Sequence, residues 1–425
     1  MTSSTGVNSP TRILFASLIG TAIEFFDFYI YATAAVLVFP HLFFPKSDPA
    51  SATLQSLATF ALAFFARPVG SALFGHFGDR VGRKATLVAA LFTMGLSTVI
   101  IGVLPTYAQI GVWAPLLLAI CRFGQGLGLG GEWGGAVLLA TENAPPGKRA
   151  WYGMFPQLGA PIGFILSSGV FLILSASLTD DQFFRFGWRV PFLASALLVM
   201  LGLYVRLKLE ETPVFRKAQE KSERVAVPMV EIFRSHWKML ILGTMLALTV
   251  FVTFYLMTVF TLTWGTKALG YSRNQFLLME MFAVIFFGLT IPVASILADK
   301  RGRRITQMWI IAAIFLFGLI FAPLFGSGST VLVMLFLSIG LALMGLCYGP
   351  LGTMLSELFP TKVRYTGASL TFNLAGIFGA SLAPYAATWL ATNYGLRFVG
   401  YYLSAAAAIT FVALWISKET MHESF

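Results

Sequence analysis

Twelve long apolar segments follow one another along the 425-residue chain, and they constrain its fold more than any other feature. Each is close to or above the roughly 20 residues that a helix needs to cross a hydrocarbon core about 30 Å thick. Charged residues make up 11% of the sequence, against about 25% in soluble domains. The sequence therefore predicts an all-α membrane protein with 12 transmembrane helices and excludes a soluble enzyme or a disordered chain. The predicted spans are residues 13–40, 52–77, 85–104, 112–140, 151–174, 189–209, 238–262, 276–298, 307–325, 330–357, 366–390 and 398–416.

Lysine and arginine are distributed unevenly over the loops between these segments. The N-terminus and alternate loops carry 21 of them, and the remaining loops carry six. Because positive residues accumulate on the cytoplasmic side of membrane proteins, both termini are predicted in the cytoplasm. This placement accounts for much of the formal charge of +11. The protein is therefore expected to be surrounded by membrane lipid and not to bind nucleic acid.

Two loop motifs of the first half recur in the second half. Asp79 and Asp299 occupy the same place in one motif, 220 positions apart, and Glu142 and Glu357 occupy the same place in the other, 215 positions apart. Two motifs repeated at nearly one offset predict two pseudo-symmetric six-helix bundles that rock around a site near the membrane midplane. The predicted units are an N-terminal bundle at 1–209, a cytoplasmic linker at 210–237 and a C-terminal bundle at 238–425.

Each copy of the first repeated motif contains an acidic and a basic residue that can form an ion pair. Asp79 and Arg83 are four residues apart, as are Asp299 and Arg303, so each pair can bond across one turn. We interpret the two copies as an intracellular latch with two states; the alternative is a solvated loop whose positive charge only sets topology. The predicted gating residues are Asp79, Arg80, Arg83, Asp299, Arg303 and Arg304.

Residues 75–84 resemble the cytoplasmic loop signature of the major facilitator superfamily. Residues 24–29, 66–70, 187–192 and 211–215 resemble the metabolite:proton symporters of that superfamily, whose members carry proline and betaine, α-ketoglutarate, citrate or shikimate. The resemblance implies proton-coupled uptake, no cofactor besides the proton as coupling ion, a monomer, and a bacterial inner membrane. The second loop copy departs from the signature, with Ser295 for the first glycine and Lys300 for arginine.

Carboxyl groups inside predicted spans are costly and usually functional. Glu24, Asp27 and Tyr31 are spaced so that they share one face of the first span, and Glu132 lies in the fourth. Asp27 is the first candidate for the proton-coupling carboxyl group, followed by Glu24 and Glu132, because burial favours the neutral form of a carboxyl group. The alternative is that these acids form structural hydrogen bonds to neighbouring helices.

Arg122 in the fourth span can pair a substrate carboxylate through two hydrogen bonds, or it can be an internal partner for Glu132 or for an acid of the first span. Gln125 falls on the same sector of that helix. Glu280, near the outer end of the eighth span, is interpreted as an interfacial acid. The predicted substrate-binding residues are Arg122, Gln125, Tyr31, Gln157, Tyr255 and Asn373.

The leading hypothesis is a secondary transporter that takes up a small organic anion, such as a carboxylate, or a zwitterion together with protons. An efflux antiporter is the alternative within transport, and a membrane-embedded enzyme is the alternative from another class. The two cysteines and four histidines lack the spacing of a metal site or of a nucleophile with its base. No metal and no catalytic residue is therefore expected.

Overall fold

The computed structural model describes residues 10–81, 83–207, 228–360 and 363–421, although it does not define the side chains of residues 10, 12, 75–87, 206 and 228. All regular secondary structure in these ranges is helical. Because lipid offers no hydrogen bonds, a helix that satisfies its own backbone is the expected element for a chain of this composition.

Twelve helical spans, numbered here in chain order, confirm the predicted fold class. Nine of them, within the described ranges, are by themselves long and apolar enough to cross a membrane. Spans 3, 4 and 9 fall short of that length because their described apolar parts are shorter or interrupted. The spans are Pro10–Leu37, Pro49–Val81, Arg83–Val103, Trp113–Leu129 with Trp133–Glu142, Arg149–Ser177, Val190–Leu207, Trp237–Lys267, Arg273–Arg301, Arg303–Leu319, Thr330–Tyr348 with Leu351–Glu357, Arg364–Tyr394 and Leu396–Ile416.

Spans 1–6 form one bundle and spans 7–12 form a second bundle with the same internal pairing. Span 1 packs on span 5, span 2 on span 4 and span 3 on span 6. The second bundle repeats this arrangement with spans 7 and 11, 8 and 10, and 9 and 12. The two bundles meet mainly where span 5 contacts span 8 and span 2 contacts span 11. These two contacts are equivalent by the internal repeat, as a pseudo-two-fold arrangement requires.

Glycines let the helices of the first bundle approach closely. A side-chain carbon at Gly159 or Gly163 of span 5 would overlap the backbone of span 1, and one at Gly126 or Gly130 of span 4 would overlap backbone oxygens of span 2. Small residues at such crossings are how membrane helices gain close van der Waals contact. Span 4, which carries Arg122, is therefore held close to span 2, and span 1, which carries Asp27, is held close to span 5.

Part of the predicted linker is a helix, Pro228–Ser235. Its Ile232 is buried in a small apolar cluster with Leu240 of span 7 and Phe359, which follows span 10. The helix is thus attached to the second bundle. Residues 208–227 lie outside the described ranges, and the unit boundaries at 209 and 237 remain a prediction.

We call the side of the molecule where span 1 begins and span 12 ends the terminal side, and the other the opposite side. Each span runs from one to the other, so the order of the spans alone places every loop. The loops after spans 2, 4, 8 and 10 lie on the terminal side, and the loops after spans 1, 5 and 7 lie on the opposite side.

Candidate functional site

Arg122 lies at the centre of the first bundle and has no exposed surface (0%). Its guanidinium carbon is 4.3 Å from the ring centre of Phe28, 4.1 Å from that of Tyr31 and 4.7 Å from that of Phe60. Arg122 Nη1 donates a 3.0 Å hydrogen bond to Gln125 Oε1, and Nε donates a 3.3 Å bond to the Phe60 carbonyl. Spans 1, 2 and 4 together hold the positive charge against aromatic faces, where a cation is favoured.

A second buried arginine shares this aromatic surface. The guanidinium carbon of Arg67, in span 2, is 4.7 Å from the ring centre of Phe28 and 5.0 Å from that of Phe64. Among the described residues no carboxylate lies within 4.0 Å of a guanidinium nitrogen of Arg67 or Arg122. Arg122 Nη2 and Arg67 Nε also have no hydrogen-bond partner in that part of the chain. Arg122 therefore pairs neither Glu132 nor an acid of span 1 in this conformation.

Asp27 is buried inside the first bundle, with 0% of its surface exposed. Ser195 of span 6 donates a 2.6 Å hydrogen bond to Asp27 Oδ1, and the Thr98 hydroxyl of span 3 lies beside the carboxyl group. Gln125 Nε2 donates a 2.8 Å bond to Thr98 Oγ1. The Thr98 hydroxyl itself donates to the Met94 carbonyl at 3.0 Å, and Asp27 Oδ2 has no hydrogen-bond partner in the described ranges. Thr98 and Gln125 therefore lie between Asp27 and Arg122 without a continuous chain of hydrogen bonds.

Glu24 and Glu132 are buried as well. Glu132 occupies the break between the two helices of span 4, and Glu24 lies one turn before Asp27 on span 1. The three predicted proton-coupling acids thus lie in one bundle.

Three of the predicted substrate-binding residues lie at the boundary between the bundles. Gln157 Nε2 donates a 3.1 Å bond to the Tyr348 carbonyl, and Trp133 Nε1 donates a 3.0 Å bond to Gln157 Oε1. Asn373 Nδ2 donates a 2.8 Å bond to Ser71 Oγ of span 2. Tyr255 packs its ring against Phe28, Phe60 and Phe64.

Tyr31, the remaining predicted substrate-binding residue, points into the first bundle. Its hydroxyl donates a 2.9 Å bond to Thr59 Oγ1 of span 2, and its ring lies over Arg122. The structure therefore brings Tyr31, Gln125 and Arg122 together around the aromatic cluster. Tyr255 reaches the same cluster from the second bundle, whereas Gln157 and Asn373 lie along the seam between the bundles.

The second copy of the loop motif connects the bundles on the terminal side. Asp299 accepts hydrogen bonds of 3.0 Å and 2.9 Å from the backbone N–H groups of Ala150 and Trp151, in the first turn of span 5. The same carboxylate pairs with Arg303 Nη2 at 3.2 Å. A carboxylate on the N-terminus of a helix is favoured by the helix dipole, so Asp299 joins one bundle to the other.

Two residues that were not predicted as gating residues extend this connection. Glu357 at the end of span 10 accepts two 3.2 Å hydrogen bonds from Arg303, and its carboxylate lies 3.5 Å from Arg149 Nη1 of the first bundle. Both residues belong to the second repeated motif, and that repeat was the sequence feature from which a gating role could have been predicted. Arg304 instead donates to the carbonyls of Leu414 and Trp415, within its own bundle. The side chains of Asp79, Arg80 and Arg83 lie outside the described residues.

The opposite side is closed by contacts between the bundles too. Arg273 of span 8 pairs with Asp180 at 2.9 Å, and its Nε donates a 2.5 Å bond to Ser175 of span 5. Lys267 at the end of span 7 donates to Thr53 of span 2. In the described ranges, the two bundles are therefore in contact on both sides.

The prediction that Glu280 is an interfacial acid is wrong. Glu280 is 1% exposed and lies seven residues, about 10 Å, inside the start of span 8. It lines a cavity of about 10 Å³ between the bundles. Sequence position could not show this burial, because it arises from spans 1, 5 and 7 closing around span 8.

No group of three or more His, Cys, Asp or Glu side chains in the described ranges is placed to hold a metal ion. Cys121 and Cys347 are both free and buried.

Comparison with known proteins places this architecture in a family. Residues 13–425 match the model of the "Sugar (and other) transporter" family. The chain is 62% identical over 425 residues to the inner membrane metabolite transport protein YhjE of Escherichia coli K12, covering 99% of this chain and 97% of that protein. It is 36% identical to the shikimate transporter of the same strain, covering 96% and 94% of the two chains.

A solved structure of the xylose transporter XylE from E. coli, in a partially occluded inward open conformation, shares the fold with a TM-score of 0.76 at 18% identity, covering 98% of this chain and 99% of XylE. Twelve spans in two matching bundles, the ionisable side chains buried within and between them, and this family match agree with one another. The chain belongs to the sugar (and other) transporter family of the major facilitator superfamily, and it is a multi-pass metabolite transporter of the inner membrane and not an enzyme.

Proposed function

We propose that the protein takes up a small organic anion, a carboxylate, together with protons by alternating access. The observation that carries this proposal is the pair of buried guanidinium groups, Arg67 and Arg122, which contact one aromatic ring and have no carboxylate of the described part of the chain within 4.0 Å. Leaving a buried charge without its partner costs about 3–5 kcal/mol. A carboxylate brought by the substrate would offset that cost.

The geometry around Phe28 limits the size of the anion. The two guanidinium carbons lie 4.7 Å and 4.3 Å from the same ring centre, so a compact molecule can reach both. Arginine presents a planar fork that matches a carboxylate with two parallel hydrogen bonds. Tyr31, Gln125 and Tyr255 surround the fork and supply the apolar and polar contacts that orient a small ligand. A zwitterion is the second substrate class.

Proton coupling is assigned to Asp27, with Glu24 and Glu132 as the other candidates. Asp27 Oδ2 has no hydrogen-bond partner among the described residues, so it can take up a proton without breaking an existing hydrogen bond, and Thr98 and Gln125 lie between it and Arg122. We propose further that the terminal side faces the cytoplasm, in keeping with the uneven distribution of lysine and arginine, and that the protein acts as a monomer with no cofactor besides the proton.

Uptake into proteoliposomes tests this function. The panel of radiolabelled probes is shikimate, α-ketoglutarate, citrate, proline and glycine betaine, each assayed with and without an imposed proton gradient, acidic outside. Accumulation of at least one carboxylate that requires the gradient supports the proposal. Proton-driven extrusion from preloaded vesicles would instead identify an efflux antiporter, and accumulation of only the zwitterions would reassign the substrate class.

A further inference from the structure

Glu280 is surrounded by residues of both bundles. The cavity of about 10 Å³ that it lines is also formed by Tyr29 and Thr33 of span 1, Phe164 of span 5 and Phe254 of span 7. That volume corresponds to about one water-sized sphere. The carboxyl group is therefore shielded from water only while the two bundles are in contact on the opposite side.

The hydrogen bonds around Glu280 favour its protonated form. The Thr261 hydroxyl carries one proton and lies 2.8 Å from the Met257 carbonyl, 3.3 Å from the Thr258 carbonyl and 3.3 Å from Glu280 Oε1. The hydroxyl donates its proton to the nearest acceptor, the Met257 carbonyl, so the hydroxyl oxygen can still accept a hydrogen bond. A protonated Glu280 can donate to that oxygen, whereas a carboxylate would face an oxygen that has no proton to offer.

In the described ranges, no other charged side chain lines the cavity at Glu280, and Lys267, at the end of span 7, is bonded to Thr53 of span 2. Span 1 presents the phenol of Tyr29, and spans 5 and 7 present only uncharged side chains at the cavity. The titratable groups of span 10 all lie nearer the terminal side than Glu280 does. Cys347 and Tyr348 are about two turns away, where Tyr348 contacts Phe287, and Glu357 lies at the end of the span. On span 8 itself, Arg273 is paired with Asp180. A carboxylate at position 280 would thus be buried without a cation, which is costly.

Asp27 differs from Glu280 in this respect. Its partner Ser195 and its neighbour Thr98 belong to the same bundle as Asp27 itself. Separation of the bundles leaves these contacts in place. Glu280, by contrast, exchanges an apolar enclosure for water when spans 1 and 5 move away from spans 7 and 8. The free energy of its ionisation is therefore tied to the conformation of the whole protein.

We propose that Glu280 is a second proton-binding group, which takes up a proton from water before the opposite side closes and returns it to water when that side opens. The proton moves between solvent and the carboxyl group, with no other bond formed or broken. The inference rests on the proposed proton-coupled transport, because it makes closure of the opposite side itself dependent on protons. By linkage, a group that must be neutral in the closed state makes closure more favourable as the pH falls.

The test measures closure directly and needs no substrate. The full chain in lipid nanodiscs, with Cys121→Ala and Cys347→Ala, carries spin labels at Ala50→Cys and Ala268→Cys. Both positions are exposed on the opposite side, one in each bundle. Electron–electron distance distributions are recorded from about pH 5 to about pH 9, a range in which ordinary carboxyl groups are already ionised and only strongly perturbed ones titrate. The variants are Glu280→Gln, Asp27→Asn and, as the matched control, the exposed acid Asp181→Asn.

We expect the short, closed distance to dominate at acidic pH and a longer distance to grow in as the pH rises, both in the parent protein and in Asp181→Asn. Glu280→Gln should lose this response and stay closed across the range. If Glu280→Gln keeps the parent response, or if the parent shows none, the proposal is overturned. A pH response that is lost only in Asp27→Asn would show that Asp27, and not Glu280, controls closure. Should Glu280→Gln fail to fold, Glu280→Met, of similar size and without charge, is judged by the same outcomes. Because the measurement uses no transported molecule, its result is independent of the uptake assay.

Discussion

The carboxylate of Asp299 accepts a 2.9 Å hydrogen bond from the backbone N–H of Trp151, which lies in the other bundle. Asp299 ends span 8 of the second bundle, and Trp151 begins span 5 of the first. A side chain of one bundle therefore caps a helix of the other on the terminal side. Because each bundle supplies only half of this cap, the cap is lost whenever the terminal side opens.

Replacing Asp299 by Asn should weaken closure of the terminal side. The amide keeps one acceptor but loses the charge that the helix N-terminus favours, and hydrogen bonds to charged groups contribute about 1.5–3 kcal/mol. Since 1.4 kcal/mol is a factor of ten in an equilibrium, we expect the amides of Ala150 and Trp151 to exchange with deuterium roughly tenfold faster or more. Hydrogen–deuterium exchange with mass spectrometry measures this on the peptide that begins span 5.

The matched control is Lys300→Gln, which changes an exposed charge on the next residue. It should leave exchange at the start of span 5 as it is in the parent protein. Equal exchange in Asp299→Asn and Lys300→Gln would mean that the cap does not hold the terminal side closed.

The sequence predicted the parts of this structure that depend on local composition. Span length and the internal repeat follow from the apolar runs and the repeated motifs. The pairing of Asp299 with Arg303 follows from their spacing of four residues, which is one turn of any helix. Burial of Asp27 follows from its place near the middle of a span. These features need no knowledge of how the bundles meet.

Features that depend on contact between the bundles were not predicted. Glu280 lies near one end of its span in the sequence, yet it is buried because span 1 and span 7 close over it. Arg122 has no carboxylate partner among the described residues, although Glu132 follows it in the same span, because the span is broken at Glu132 and the two residues do not lie on one continuous helix. The pairing of Arg149 with Glu357 had a signal in the repeated motif, but the motif alone did not show which residues would cross the boundary.

Close packing of span 5 on span 1 should not tolerate a larger side chain at Gly159. A methyl group there would overlap the side chain of Thr21 and approach the Ala22 nitrogen to 2.7 Å, and a helix backbone cannot yield as a flexible side chain can. Overpacking of this kind costs about 1–3 kcal/mol. We therefore expect Gly159→Ala to lower the Tm of the purified protein by several degrees, measured by tryptophan fluorescence.

Gly169→Ala is the control on the same helix. The nearest atom to its added carbon is the flexible end of Met281, at 3.6 Å, which is ordinary contact. Its Tm should match that of the parent protein. A similar loss of Tm in both variants would attribute the effect to span 5 in general and contradict the role of the Gly159 crossing.

Arg122→Lys should impair substrate binding although it keeps the positive charge. Lysine has no planar fork and stacks less well on Phe28 and Tyr31, so a substrate carboxylate loses one of its two hydrogen bonds. At about 1.4 kcal/mol for each factor of ten, we expect the apparent affinity for whichever carboxylate of the panel is accumulated to fall at least roughly tenfold. The concentration dependence of uptake measures it.

Arg185→Lys is the control, because Arg185 is exposed on the opposite side. It should bind and transport as the parent protein does. If Arg122→Lys also retains the parent affinity, a bidentate role for Arg122 is excluded, and Arg67 becomes the first candidate for the carboxylate.

Asp27→Asn should separate coupling from transport. The amide oxygen can still accept the hydrogen bond from Ser195, so the first bundle keeps its packing, but the side chain can no longer gain or lose a proton. A permanently neutral group removes the link between the proton gradient and substrate movement, since only a step that changes with protonation can use the gradient. We expect accumulation of the accepted carboxylate against its gradient to be abolished, while exchange of external for internal substrate persists because it need not return an empty carrier. The two are measured on the same proteoliposomes, with and without an acidic exterior. Full accumulation by Asp27→Asn would make Asp27 structural and pass the assignment to Glu24 or Glu132, whereas loss of both accumulation and exchange would show that the neutral form cannot complete the conformational change at all.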